Sequence, residues 1–235
     1  MKTPQPRTVR EHTTPALTSS RRNRLVGVAA IAFAVLVVTE NGVFAATGAQ
    51  SYGAPIEDVL AYYAANRDAV AIISALVAVY LPLLLVFVTG LHGLVERRGG
   101  AGADWSRLAV AAGATLSAVF VLVNVLQIGL ALSASELAEP TPAFELVWQI
   151  HAAAFALALP MLASTFLGAA LAAHASGLTA AWQRPLGVLG ATLLLAAGVG
   201  NLTIADGSPL IFVGLLGFAA LLVWLLAAGV RLIRS

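Results

Sequence analysis

The stretch Val37 to Phe44, "VVTENGVF", sets a carboxylate and a carboxamide, Glu40 and Asn41, inside a run that is otherwise apolar. Three later apolar runs carry isolated groups of the same kind: Asn124 with Gln127, Gln149 with His151, and Asn201. A carboxylate, an imidazole and several carboxamides can hold a proton, bind a hydrogen-bonding ligand, or join helices to one another. Other chemistries are excluded. The chain has no cysteine, which removes disulfides, thiolate metal sites and cysteine nucleophiles. Lys2 is the only lysine, so no buried lysine exists to form a Schiff base. No H-E-x-x-H, G-x-S-x-G or paired-histidine motif occurs, and no cofactor is expected.

The elements that must position these groups are membrane spans. Hydrophobic residues make up 60% of the 235 and charged residues 10%, against about a quarter charged in soluble domains. A span needs about 20 apolar residues. Six stretches qualify, at 25–47, 68–94, 107–133, 145–173, 186–204 and 209–230, separated by turn or charge chemistry such as "ERRGGAGADWSR" and "ADGSP". The expected fold is all-α, a polytopic six-helix transmembrane bundle with a short surface helix between the first two spans. Residues 1–22 are expected as a disordered cytoplasmic tail, and residues 23–235 as a single membrane domain. "RRNR", an apolar run and "FAATGA" mimic a secretory signal, but the long polar tail before them and Glu40 within them favour an uncleaved anchor.

Basic residues resist translocation. With the N-terminus inside, every lysine and arginine except Arg67 falls on the cytoplasmic side, so both termini are expected in the cytoplasm of a cell-membrane protein. Basic groups placed at helix ends and in the tail set orientation and do not imply nucleic acid. Pro82 and Pro160 interrupt the second and fourth spans, and the many small residues suit close helix packing.

Counting about 1.5 Å per residue along each span places Glu40, Asn124, His151 and Asn201 at one depth, roughly 8 Å below the outer surface. Asn41 lies beside Glu40, and Gln127 one turn from Asn124. Gly113, Ser117, Phe120, Asn124 and Gln127 recur at intervals of three and four, as do Trp148, His151 and Phe155, so each set shares a helix face. Glu40, Asn41, Asn124, Gln127, His151 and Asn201 are therefore expected to line an outward-facing polar pocket. The competing expectation is interhelical hydrogen-bond glue, with Glu40 at the interface of a thinned bilayer.

The first outer loop, "SYGAPIEDVLAYYAANRDAV", carries Pro55, Glu57 and Asp58 ahead of an apolar stripe of Ile56, Val59, Leu60 and Tyr63. It reads as a surface helix, an anchor or a lid, with Tyr62 and Tyr63 at headgroup level. Asn66 is placed to cap the next span, and Arg67 to reach Glu40 or a lipid phosphate. The pattern Ala54-Pro55, acids, Tyr62-Tyr63 and Asn66-Arg67 between the first two spans of an Ala-rich chain resembles uncharacterised multi-span membrane proteins of high-GC bacteria. The resemblance covers the layout and this loop and implies no activity or catalytic residue.

The expected partners are the lipid bilayer and a small ligand, lipid headgroup or proton held by the pocket without catalysis. The alternative is a structural or assembly partner using its small-residue faces. An intramembrane zinc hydrolase lacks ligands, since zinc takes about three and only His151 and Glu40 share the outer depth. A haem or quinone subunit would draw on His92 and His174, both near the cytoplasmic ends of their spans.

Overall fold

A computed structural model describes residues 19–235 of the chain. Eight helices follow in order: α1 (Ser19–Thr47), α2 (Ile56–Ala65), α3 (Arg67–Arg97), α4 (Ala103–Ala134), α5 (Pro142–Ala175), α6 (Gln183–Val199), α7 (Asn201–Ala205) and α8 (Ile211–Arg234). No strand occurs among the described residues. Five helices, α1, α3, α4, α5 and α8, are long and apolar enough to cross a membrane, the mark of a membrane protein. Local chemistry explains their boundaries. Thr141 accepts a hydrogen bond from the Phe144 N–H at 3.2 Å, Pro142 opens α5, and Glu145 complements its N-terminal dipole.

Within the stretch expected as a tail, α1 begins at Ser19; residues 1–18 lie outside the described residues. The stretch 186–204, expected as a single span, is not one helix. It divides at Gly200 into α6, of 17 residues, and the short α7. At about 1.5 Å per residue α6 alone extends roughly 25 Å. A side chain at position 200 would collide with Leu210, so glycine suits this junction.

The long helices form a closed ring. α1 packs on α3, α3 on α4, α4 on α5, α5 on α6, α6 on α8, and α8 returns to α1. Small residues bring the seams close. A Cβ at Gly27 would stand 2.6 Å from the Gly229 carbonyl across α1 and α8, and one at Gly217 would stand 2.6 Å from the Gly190 carbonyl across α6 and α8. The seam between α1 and α8 ends in a hydrogen bond at 3.0 Å from Asn23 Nδ2 to Ser235 Oγ, which puts the start of α1 and the end of α8 at one end of the ring.

The opposite end is covered by α2 and the segment before it. Val59, Leu60, Tyr62 and Tyr63 pack against Leu130, Ala131 and Ala134 of α4 and Phe144 and Trp148 of α5. Tyr62 and Tyr63, expected among headgroups, are instead buried within the protein, with the Tyr62 hydroxyl bonded to Thr47 Oγ1 at 3.0 Å. Asn66 caps backward, donating through Nδ2 to the Tyr62 carbonyl at 2.9 Å, and makes no side-chain cap on α3. Gly53 meets Gly207 backbone to backbone, joining the α1–α2 loop to the α7–α8 turn; Gly207 has φ +87°, a conformation that suits glycine.

Candidate functional site: a two-chambered cavity inside the ring

Beneath this cover lies a cavity of about 310 Å³, reached by side chains from α1, α2, α3, α4, α5, α7 and α8 and from the loops that close them. Glu40, Asn41, Asn124, Gln127 and His151 all line it. The other two candidate residues do not. Asn201 falls on α7, past the break at Gly200, and only Ile204 of that helix faces the cavity. Arg67 is exposed at the start of α3 and forms no ion pair with Glu40.

The partner of Glu40 is Tyr80, whose hydroxyl donates to Oε1 at 3.2 Å from the facing side of α3. Ser74, one and a half turns earlier on α3, donates to Asn124 Oδ1 at 3.0 Å. Asn41 turns its amide back onto its own helix, donating to the Val37 carbonyl at 2.9 Å. These three contacts are helix glue in the sense that they satisfy polar groups within the bundle.

Gln127 and His151 are different. Both are buried, at 4% and 6% exposure, yet Gln127 Nε2 and both ring nitrogens of His151 have no hydrogen-bond partner among the described residues. A buried polar group left unpaired costs about 1–3 kcal/mol. The two side chains line the same cavity, so the unpaired donors and acceptor converge on one space.

Aromatic rings hold His151 in place. The Trp148 indole lies nearly parallel to the imidazole, 12° between planes and 5.3 Å between centroids, as residues three apart on α5 permit. Tyr52, from the covering loop, packs on Trp148 at 5.2 Å, on Phe155 at 5.5 Å and on His151 at 5.8 Å. Burial pushes the Tyr52 and Tyr63 hydroxyls above the ordinary tyrosine range, each further raised by a neighbouring tyrosine.

No protein family, curated protein or solved structure matches the chain. What the site can do follows from its own atoms. Among the described residues no three His, Asp or Glu side chains gather where a metal ion could be held. His92 belongs to the far end of the ring, where its Nδ1 pairs with Ser106 Oγ at 2.8 Å. The cavity offers an amide donor, an imidazole, a carboxylate and stacked rings, which suits reversible recognition of a small molecule.

A second chamber, about 270 Å³, adjoins the first. The two share Glu40, Asn41, Phe44, Phe120, Phe155 and Ile211, so Glu40 stands at the waist between them. Apart from Glu40, Asn41 and Tyr80 the second chamber is lined by apolar residues of α1, α3, α4, α5, α6 and α8. Sequence reasoning missed Tyr52, Tyr80 and Ser74. Tyr80 sits in an apolar run with no local mark of its role, and the segment around Tyr52 has no helical periodicity.

Proposed function

We propose that this chain is a six-span protein of the cell membrane, both termini cytoplasmic, whose outward-facing cavity binds or moves a small ligand without catalysing its conversion. The observation that carries the reading is the convergence of unpaired Gln127 and His151 on a 310 Å³ cavity. Hydrogen-bond glue would have paired them. At about 30 Å³ per water molecule the space equals roughly ten waters, enough for a small ligand or a lipid headgroup.

Several features support the six crossings. The start of α1 and the end of α8 meet, which favours an even number of traverses. α6 and α7 together match the reach of a span, and α6 carries exposed Leu189, Leu195 and Val199 like the lipid-facing residues of its neighbours. Every described arginine except Arg67 lies at the end away from α2, which favours a cytoplasmic location for that end.

Against the assembly-partner alternative, the glycines at positions 27, 190, 217 and 229 pack into seams inside the ring. The test exploits the absence of cysteine. A single His151→Cys substitution should react with a membrane-impermeant thiol reagent applied outside intact cells, whereas Ala181→Cys, at an exposed position in the α5–α6 connection, should react only after permeabilisation. Labelling of position 151 from the inside alone, or only after unfolding, removes the outward pocket.

A further inference from the structure

The two chambers differ in chemistry and meet at Glu40, and that juxtaposition narrows what the cavity can hold. We infer that the ligand is a single-tailed amphipathic cation, its ammonium head in the polar chamber beside Glu40 and its apolar chain in the second chamber. The inference rests on the binding reading above and names the ligand class for the same site.

Charge selects the head. Neither chamber is lined by a lysine or arginine, and Glu40 is the one acid in either lining. Tyr80 occupies Oε1 only, so Oε2 has no hydrogen-bond partner among the described residues and remains open to the cavity. An anionic head would meet this carboxylate in a low-dielectric interior with no cation to offset it, where charge interactions are several times stronger than in water. A positive head finds the carboxylate and, lining the same chamber, the rings of Tyr52, Trp148 and Phe155. Aromatic faces attract ammonium groups, most strongly where water is excluded.

Geometry selects the tail. Below Glu40 and Tyr80 the second chamber offers only apolar surface, with Phe33, Leu84, Leu116, Leu159, Leu194 and Phe218 among its walls. Burying a polar or branched polyol group there would leave it unpaired. At roughly 30 Å³ per water-sized group, the 270 Å³ chamber accepts a chain of about eight to ten carbons. A molecule anchored at the waist thus fills both spaces at once.

The test uses the full chain in lipid nanodiscs and reads saturable equilibrium binding above that of empty nanodiscs. The probes are tetramethylammonium, decyltrimethylammonium, decyl sulfate and decyl glucoside. Decyltrimethylammonium should bind roughly ten-fold or more tighter than tetramethylammonium, with no saturable binding of decyl sulfate. Glu40→Gln should weaken decyltrimethylammonium by roughly ten-fold. Leu159→Trp, which fills the second chamber, should bring decyltrimethylammonium down to the level of tetramethylammonium; Leu116→Phe is the milder variant should that protein fail to fold. Equal binding of decyl sulfate or decyl glucoside overturns the choice of a cation. Equal binding of the short and long ammonium probes overturns the tail. If position 151 is labelled from outside but no probe binds saturably, the amphipathic cation falls and the outward pocket stands.

Discussion

Tyr80 reaches across from α3 to donate a hydroxyl hydrogen bond to Glu40 of α1, 3.2 Å away, where the two chambers meet. The bond ties together two helices that also share the edge-to-face contact of Phe33 with Tyr80, at 5.6 Å and 88°. Tyr80→Phe keeps the ring contact and removes the donor. Interhelical hydrogen bonds of membrane proteins average about 0.6 kcal/mol and reach about 1.7, and the Tyr80→Phe loss should fall in that range. A double-mutant cycle with Glu40→Ala, followed by unfolding in mixed micelles, should show that the two changes are not additive.

The unpaired groups predict the opposite sign. Gln127→Leu removes a buried donor that has no partner, and should raise stability by about 1 kcal/mol while abolishing ligand binding. Asn201→Ala and Arg67→Ala, both away from the cavity, should change stability by less than about 0.5 kcal/mol and leave binding intact. Thermal unfolding of the four proteins side by side checks both statements.

Glycine seams give a sharper contrast. Gly27→Ala would press a methyl group into the Gly229 carbonyl, 2.6 Å away, and should cost about 1–3 kcal/mol through overpacking. Gly129→Ala, also helical, meets nothing within 4 Å and should be neutral or gain up to about 1 kcal/mol. Equal melting temperatures for the two variants would contradict the close approach of α1 and α8.

Alkaline pH should loosen the cover. Tyr63 and Tyr52 lie outside the spans, and burial raises both hydroxyls above the unfolded value of about 10. A raised acid stabilises the fold fully below the unfolded pKa, and that contribution is lost as pH climbs above about 10, when the unfolded chain ionises first. The melting temperature should therefore fall above about pH 10, and Tyr63→Phe should flatten the decline.

Much of this was legible in the sequence, for physical reasons that differ from residue to residue. Apolar length announced the five long helices, and the stripe of Ile56, Val59, Leu60 and Tyr63 announced the helix α2, though not the burial of its tyrosines within the protein. Helical spacing put Asn124 with Gln127 and Trp148 with His151 on shared faces, because periodicity survives into the packed bundle. Asn201 was misplaced because a uniform rise assumes an unbroken helix, and the chain breaks at Gly200. The role of Tyr80 and the second chamber depend on which helices become neighbours. Ring order is a property of tertiary contacts that no local pattern records.

The bond between Asn23 and Ser235 leaves the circle of helices without a beginning. Each helix is held by its two neighbours, so chain order matters less than adjacency. A circularly permuted gene that joins the C-terminus to α1 through a short linker and opens between α4 and α5 should produce the same assembly.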